Sequence, residues 1–208
     1  MPSRPAVHVN MAMSLNGYIS GPGGRRANIS SDEDWKRVMQ LRGSVDAIIV
    51  GVNTVISDDP ELVPRGQGVP RLPVRAVIDP HLRTPAGSRI TRGSARTIIF
   101  SERPGEVEGA TVVHMPQGVS VRSVLSFMHS QGFRSVLLEG GRKTVSSFLR
   151  EGVVDTFTLF LSYLVLPDGG TRLFSTDTEI SGLVTSSRLM EGGVLLQIDP
   201  GAAARAIL

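Results

Sequence analysis

The chain has 208 residues, of which 40% are hydrophobic, 20% charged and 5% aromatic, and its formal net charge is +3. This composition is typical of a folded globular protein and excludes a disordered or fibrous chain, while the absence of cysteine excludes disulfides and thiolate zinc sites. The scattered arginines form no basic stripe with interleaved aromatic residues, so we expect no nucleic-acid partner.

The N-terminal part of the chain predicts a strand, a loop and a helix. Residues 7–12 form the first strand, and the glycine-rich stretch 13–28 is a loop. Ser30 and Ser31 each precede an acidic residue by three positions, a capping-box pattern that opens a helix ending near Arg42.

The rest of the chain continues this alternation. Strands are predicted at 45–50, 74–78, 97–100, 111–114, 135–138 and 156–166, helices at 121–128 and from about Arg142, and a terminal hairpin at 182–190 and 194–198. Such a pattern predicts an α/β fold with a mixed, mostly parallel sheet, flanking helices and a C-terminal antiparallel hairpin. We expect one domain over 1–208, with flexible tails at 1–6 and 200–208.

Three predicted strands end on glycine or an acid: Gly51, Asp79 and the pair Gly140–Gly141. Ligands of open α/β sheets bind beyond the carboxyl ends of strands, where helix N-termini offer free backbone donors to phosphate. The segment 137–144 therefore predicts either a cradle for the pyrophosphate of a dinucleotide or a βα turn that needs glycine for tight packing. The usual dinucleotide fingerprint of three spaced glycines is absent.

The segment 51–62 runs from a buried strand through a short helix to two carboxylates before a proline. Asp58 and Asp59 are either helix-terminating acids, or Asp58 faces a ligand and binds a sugar hydroxyl or orients a proton. Arg42 and Arg65 are either surface arginines or hold a substrate phosphate, for which the guanidinium fork is suited. Asp32 is a favourable acid at the positive end of the first helix.

No apolar run approaches the roughly 20 residues of a membrane span, and no signal-type segment precedes the first strand. We therefore expect a cytoplasmic protein with no membrane partner. The four histidines are dispersed and are expected to have structural or surface roles.

Several segments, taken together, resemble the reductase of riboflavin biosynthesis in their order and spacing. They are Met-Ala-Met-Ser-Leu-Asn-Gly at 11–17, the segment 51–62, Pro-Val-Arg-Ala-Val-Ile-Asp at 73–79, Leu-Arg-Thr-Pro at 82–85, Leu-Leu-Glu-Gly-Gly at 137–141 and Gly-Val-Val-Asp at 152–155. The resemblance covers about residues 7–199. It implies a dihydrofolate-reductase-like fold, NADPH as cofactor, reduction of the ribose of a phosphoribosylaminopyrimidine to a ribityl chain, and a homodimer.

The resemblance also implies roles for residues of this chain. The implied cofactor-binding residues are Ala12, Gly51, Thr54, Asp58, Asp79, Arg83, Gly140, Gly141, Arg142, Lys143 and Thr144. The implied substrate-binding residues are Arg42, Leu62, Arg65 and Glu139, with the arginines on the 5′-phosphate, and Asp58 is the catalytic candidate. No metal site is expected. The acidic turn at Asp58 and the turn at Gly140–Gly141 are expected to flank one crevice.

Two positions depart from the family pattern. Asn16 replaces an aspartate, and Tyr18 stands where the family often has a basic residue after the motif's glycine. A chain without cysteine would be a reductase only, since a zinc deaminase segment needs thiolate ligands.

Two other functions stay open at this point. Asp32 lies three residues before Trp35, the spacing of the pterin-binding carboxylate in folate reductases, which favours a dihydrofolate or pteridine reductase and makes Asp32 a substrate-binding candidate. A non-catalytic NADPH-binding homologue is the third interpretation. The 2-amino or deaminated form of the pyrimidine, the choice of NADPH over NADH, the proton donor and the oligomeric state are left open.

Overall fold

A computed structural model describes residues 4–66, 72–174 and 182–201. The strands are β1 Ala6–Met13, β2 Ala47–Gly51, β3 Val74–Ile78, β4 Thr97–Ser101, β5 Thr111–His114, β6 Ser135–Glu139, β7 Thr156–Ser162, β8 Leu183–Met190 and β9 Gly193–Asp199. The helices are α1 Asp32–Ser44, α2 Val52–Asp58, α3 Val121–Ser130 and α4 Arg142–Arg150, with short 3₁₀ helices at Pro22–Gly24 and Arg89–Thr91.

The predicted fold class is confirmed, because the strands form a mixed sheet and the only antiparallel pairs among the described strands involve the terminal hairpin. The chain divides into two compact units, so the single domain stays a prediction. Unit 1 contains residues 39–138 and the residues up to Ala6, whereas unit 2 contains residues 7–38 and those from 139 onward. Most of the predicted tails, residues 1–3 and 202–208, lies outside the described residues.

Unit 1 is built on five parallel strands in the order β5-β4-β3-β2-β6. Every residue of β2 is buried, as expected of a parallel strand covered on both faces, whose sequence is a continuous apolar run. One core cluster joins this sheet to α2 and to the segment after it: Val45, Ile48, Val50, Val52, Val55, Leu62, Val77, Ile90, Ile99 and Leu137. This packing fixes the backbone of the acidic turn.

Helix α3 of unit 1 shows how local sequence sets an element's ends. The Ser120 hydroxyl accepts a hydrogen bond from the Ser123 amide at 3.0 Å, and the Ser123 hydroxyl accepts one from the Ser120 amide, which is a capping box. After the helix, Gly132 adopts a φ of 87° and the Phe133 amide donates to the Met128 carbonyl at 3.1 Å. The predicted closure at Gly132 is confirmed.

Unit 2 contains four strands in the order β1-β7-β9-β8, with β1 and β7 parallel and the other pairs antiparallel. Helix α4 and the first half of α1 belong to it. Of the two serines predicted to cap α1, Ser31 does so, because its hydroxyl accepts a hydrogen bond from the Asp34 amide at 3.2 Å. None of the helices in the described ranges has the length and apolar character to cross a membrane.

Strand β7 is shorter than predicted, since it ends at Ser162 rather than at residue 166. The apolar run continues to residue 166, but its last residues form hydrogen bonds with the loop that follows β1 instead of with a strand. Leu164 accepts a hydrogen bond from the Leu15 amide at 2.8 Å, and the Leu166 amide donates to the Asn16 side chain at 3.1 Å. The prediction for the last four residues is therefore wrong, because apolar character alone does not distinguish a buried strand from a docked loop.

Candidate functional site

The acidic turn of unit 1 follows β2 directly. Gly51 is the N-cap of α2, and Val52 and Val55 anchor the helix in the core at 4% and 1% exposure. The opposite face of α2 is exposed and ends in Asp58, whose carboxylate accepts a hydrogen bond from the Ser57 hydroxyl at 2.8 Å. Asp59 has a left-handed backbone with φ 40° and ends the helix. Both acids are exposed, but the Asp59 carboxylate accepts a hydrogen bond from the Arg89 backbone amide, whereas the Asp58 carboxylate accepts one from its neighbour Ser57.

Two arginines that sequence reasoning did not select hold this turn. The Arg89 amide donates to the Asp59 carboxylate at 2.7 Å, and the Arg89 guanidinium donates to Glu61 at 2.6 Å. Arg75, which is 1% exposed, donates to the carbonyls of Glu61, Arg92 and Ala95. The only signal for Arg75 was a charge inside an apolar strand, which requires buried acceptors.

The ion pairs of the turn have an electrostatic consequence. Hydrogen bonds from Arg89, and then from Arg65, hold the pKa of the Glu61 carboxyl below its usual range. Arg65, predicted to bind a substrate phosphate, is exposed and already paired with Glu61. Leu62 is 4% exposed and has a φ of 53°, a conformation that costs about 1–3 kcal/mol for a side chain of this kind. Arg42 is buried at 7% exposure.

Asp79 lies at the end of β3, at the same sheet edge as Gly51, because Gly51 pairs with Ile78. Its Oδ2 atom accepts hydrogen bonds from the Thr84 amide and hydroxyl at 2.7 and 2.8 Å. Its Oδ1 atom is buried and has no hydrogen-bond partner among the described residues. Arg83 is exposed and donates to the Asn53 side chain of α2 at 2.9 Å. The Asp79 side chain therefore stabilises the turn that follows β3, whereas the Arg83 side chain is exposed.

The last residue of β6, Glu139, belongs to unit 2 and is 8% exposed, and the two glycines follow it. Gly140 and Gly141 have φ values of 79° and 82°, and Gly141 is the N-cap of α4. A residue with a Cβ atom is strained at both positions. Because the Val145 amide is the first to bond back within α4, the amides of Arg142, Lys143 and Thr144 have no intrahelical acceptor.

This turn is attached to β1, since the Gly140 amide donates to the Met11 sulfur at 3.4 Å. Ala12 is the next residue of β1 and is partly exposed. Free amides, the positive end of the helix and two basic residues together favour binding of a phosphate group. Unit 2 thus brings Ala12, Glu139 and the segment 140–144 onto contiguous elements.

A polar cluster lies between β1, β7 and α1; we define it as His8, Asn10, Asp34, Arg37 and Thr158 and call it the buried polar cluster. Arg37 donates to both Asn10 and Asp34 at 2.7 Å, and a His8 ring nitrogen lies 2.5 Å from the Thr158 hydroxyl. Burial, and then the charge of Arg37, lowers the pKa of His8 to about 4.

Asp34 bears on the folate interpretation. Its side chain is 1% exposed and forms an ion pair with Arg37 of the same helix at 2.7 Å. Asp32, the predicted substrate-binding acid, is exposed at the start of the helix. The one buried carboxylate of this turn is therefore already neutralised by an arginine, unlike an acid that binds a pterin.

The two departures from the family motif have structural partners. The Asn16 amide donates to the Leu166 carbonyl at 2.8 Å and accepts from the Leu166 amide, a pairing that an aspartate cannot make. The Tyr18 hydroxyl is 2.7 Å from the Asp168 carboxylate. This hydrogen bond is the main cause that raises the pKa of Tyr18.

The sixteen candidate residues thus divide evenly. Arg42, Gly51, Thr54, Asp58, Leu62, Arg65, Asp79 and Arg83 belong to unit 1, whereas Ala12, Asp32, Glu139, Gly140, Gly141, Arg142, Lys143 and Thr144 belong to unit 2. The expected crevice between the two turns stays a prediction. Among the described residues, no group of three or more histidine, aspartate and glutamate side chains is placed to hold a metal ion.

A mixed α/β sheet with parallel strands ending in glycine and acidic turns is the architecture of the dihydrofolate-reductase-like reductase domains. The RibD C-terminal domain family matches residues 5–192, and the chain belongs to this family.

Known relatives agree with this membership. The chain is 34% identical over 196 residues to the 2,5-diamino-6-ribosylamino-4(3H)-pyrimidinone 5′-phosphate reductase of Methanothermobacter thermautotrophicus, covering 89% of this chain and 90% of that one. It is 33% identical over 174 residues to the Archaeoglobus fulgidus reductase of the same name, covering 76% and 80%. A bifunctional deaminase/reductase structure from Thermotoga maritima superposes with a TM-score of 0.83 at 27% identity, over 95% of this chain and 57% of that one.

Proposed function

We propose that this protein reduces the ribose of 2,5-diamino-6-ribosylamino-4(3H)-pyrimidinone 5′-phosphate to a ribityl chain in riboflavin biosynthesis, with NADPH as the reductant. The observation that carries the proposal is the similarity to two archaeal reductases of that name along most of their length. The chain is accordingly an oxidoreductase. The same similarity favours the 2-amino form of the pyrimidine over the deaminated form.

The residues proposed for the cofactor are those that the resemblance implies. The glycine turn and the first turn of α4 suit the pyrophosphate, since they combine two left-handed glycines, unbonded amides and the basic residues Arg142 and Lys143. Ala12, Gly51, Thr54 and Asp58 are proposed for the nicotinamide end. Arg83, with Asp79 shaping its turn, is proposed for the adenosine part.

The proposed substrate contacts are Arg42, Leu62, Arg65 and Glu139. Arg65 would exchange its ion pair with Glu61 for the phosphate, an exposed exchange that costs little because such pairs contribute about 0–1 kcal/mol. Asp32, which is exposed, is also proposed for this role.

The reaction requires an electrophilic carbon and a proton. Opening the ribose ring breaks the C1′–O4′ bond; the amine nitrogen loses a proton, O4′ gains one, and a C1′=N imine is left. This imine takes up a hydride at C1′ and a proton at nitrogen to give the ribityl amine. The nicotinamide cofactor, when bound, supplies that hydride with its two electrons. The residues of this chain orient the sugar and transfer the proton.

Asp58 is proposed for that work. Its carboxylate is exposed and has the Ser57 hydroxyl as partner, so it is accessible to a sugar hydroxyl or a water molecule. The turn behind it is held by Arg75 and Arg89, which keeps the carboxylate at a fixed place on the end of α2.

We also propose a homodimer and a cytoplasmic location. Strand β8 ends the strand order of unit 2, and its Leu183, Val184 and Leu189 are 58%, 51% and 77% exposed. An edge strand with exposed apolar residues favours pairing with another chain, and a second copy gives a symmetric antiparallel pair. Light scattering at micromolar concentration should report a dimer; a monomer would contradict this.

The function is tested by turnover of three compounds side by side: the 2,5-diamino phosphate, its deaminated counterpart and dihydrofolate. NADPH should be oxidised fastest with the 2,5-diamino compound, and replacing it by NADH should raise the KM for the cofactor. Faster turnover of dihydrofolate would contradict the proposal. Faster turnover of the deaminated compound would correct the substrate but keep the reaction.

A further inference from the structure

Two segments of unit 2 leave the same edge of the sheet and pair with each other. Strands β1 and β7 are parallel neighbours, so the loop 14–20 and the segment 164–173 both begin at their carboxyl ends. We call this pair of segments the clasp. Its backbone hydrogen bonds run from Leu15 to Leu164 at 2.8 Å, from Ile19 to Thr171 at 2.8 Å and from Leu173 to Gly17 at 3.0 Å. The clasp therefore lies at the edge where such sheets bind ligands.

The clasp is tightly packed. A Cβ atom at Gly170 would come within 2.1 Å of the Ser20 carbonyl oxygen, so the backbones approach more closely than any other residue permits. Asn16 closes the other end by its two hydrogen bonds to Leu166. Side chains carried by the clasp are consequently held in place before any ligand arrives.

Arg172 is the cation of the clasp. Its guanidinium carbon lies 4.7 Å from the centroid of the Tyr18 ring, which is itself 4% exposed and tied to Asp168. The two hydrogen bonds of Arg172, to the Tyr18 hydroxyl and the Asn16 carbonyl, are long at 3.3 and 3.4 Å. Contact with the ring thus holds the guanidinium over Tyr18, and long hydrogen bonds compete only weakly with a ligand for its N–H groups.

We propose that Arg172 is a further arginine that binds the phosphate of the substrate, with Tyr18 as the positioning residue that holds the guanidinium. This inference rests on the proposed function. A guanidinium binds a phosphate through two parallel hydrogen bonds, and an arginine that is already held in place loses little entropy on binding.

The test is steady-state kinetics of Arg172→Ala with the 2,5-diamino phosphate and with its dephosphorylated form. A lost charge-assisted hydrogen bond predicts a KM for the phosphorylated substrate about 10- to 100-fold higher, with kcat and the KM for NADPH unchanged. Wild type and variant should have equal KM values for the dephosphorylated form. Arg172→Lys should recover part of the loss, because lysine keeps the charge but not the fork.

Two variants separate positioning from bulk structural damage. Tyr18→Leu removes the stacking, so it should raise the same KM, and combining it with Arg172→Ala should add nothing further. Arg150→Ala is the matched control: Arg150 is an exposed arginine of unit 2 at the last position of α4, and its loss should leave the KM unchanged.

The outcomes are distinguishable. An unchanged KM for Arg172→Ala, or an equal rise for both forms of the substrate, would overturn the inference while the wild-type activity upholds the function. If wild-type protein turns over neither pyrimidine phosphate, the proposed function fails and the inference fails with it.

Discussion

The neutral His8 of the buried polar cluster should make the protein's stability depend on pH between 6.5 and 4. Its pKa is lowered from 6.5 to about 4, by burial first and by Arg37 second. The unfolded chain therefore binds a proton at His8 that the folded chain does not bind, so this contribution is fully present above pH 6.5 and is lost as pH falls toward 4.

The magnitude follows from the shift. Lowering the pKa by about 2.5, at 1.36 kcal/mol per pKa unit, makes the free energy of unfolding about 3 kcal/mol smaller at pH 4 than at pH 7. About 2 kcal/mol of this is lost by pH 5. The ring is partly exposed, so these are upper values. With a urea slope of about 2 kcal/mol per molar, the midpoint should fall by about 1 M at pH 5.

The assay is urea denaturation at pH 7, 6, 5 and 4 for wild type and for His8→Leu combined with Thr158→Val, which leaves no hydroxyl unpaired. The variant should lose less stability on acidification than wild type, by about the amounts given above. His81→Leu, which removes an exposed histidine outside the cluster, is the control. Parallel pH profiles for wild type and the double variant would refute the reasoning.

The remaining predictions concern the turns and the clasp. Asp58→Asn should lower kcat strongly, by about 100-fold if Asp58 handles the proton, with little change in NADPH affinity; unchanged turnover would remove it from the mechanism. Gly141→Ala, which puts a Cβ atom at φ 82°, should raise the KM for NADPH; an unchanged KM in a folded variant would exclude the glycine turn from the cofactor site. Gly170→Ala should lower the melting temperature by several degrees, because the added Cβ atom would prevent the two segments of the clasp from packing together. Gly132→Ala is the control: a Cβ atom there meets nothing within 4 Å, so the melting temperature should fall only by the effect of backbone strain. Equal decreases in melting temperature for the two variants would contradict the packing argument.

The sequence predicted the strands and helices well where apolar runs met clear boundary residues. β5 was predicted with its observed bounds, and Gly132 was predicted as the residue that closes α3. These signals are local, since a capping serine or a left-handed glycine acts on residues within one turn. The predicted end of β7 was wrong, because the residues after Ser162 form hydrogen bonds with a loop about 150 positions away in the sequence.

The sequence pointed to the turns of the candidate site but not to the residues that support them, for the same reason. The turns at Gly51, Asp58 and Gly140 were found from glycine and acid positions, which are local. Arg75, Arg89 and Arg172 were missed as supporting residues, because their partners lie 14 to 156 positions away and no spacing rule connects them. Asp32 was selected for its spacing to Trp35, and the sequence did not reveal that Asp34 is the buried acid of this turn.

The most direct test of the proposed function follows a label from cofactor to product. Reduction of the 2,5-diamino phosphate with NADPH deuterated at the transferable position should place one deuterium on C1′ of the ribityl chain, detected by mass spectrometry and located by NMR. Deuterium at C1′ is the predicted result. A product without deuterium, or with deuterium on the pyrimidine ring, would contradict the account.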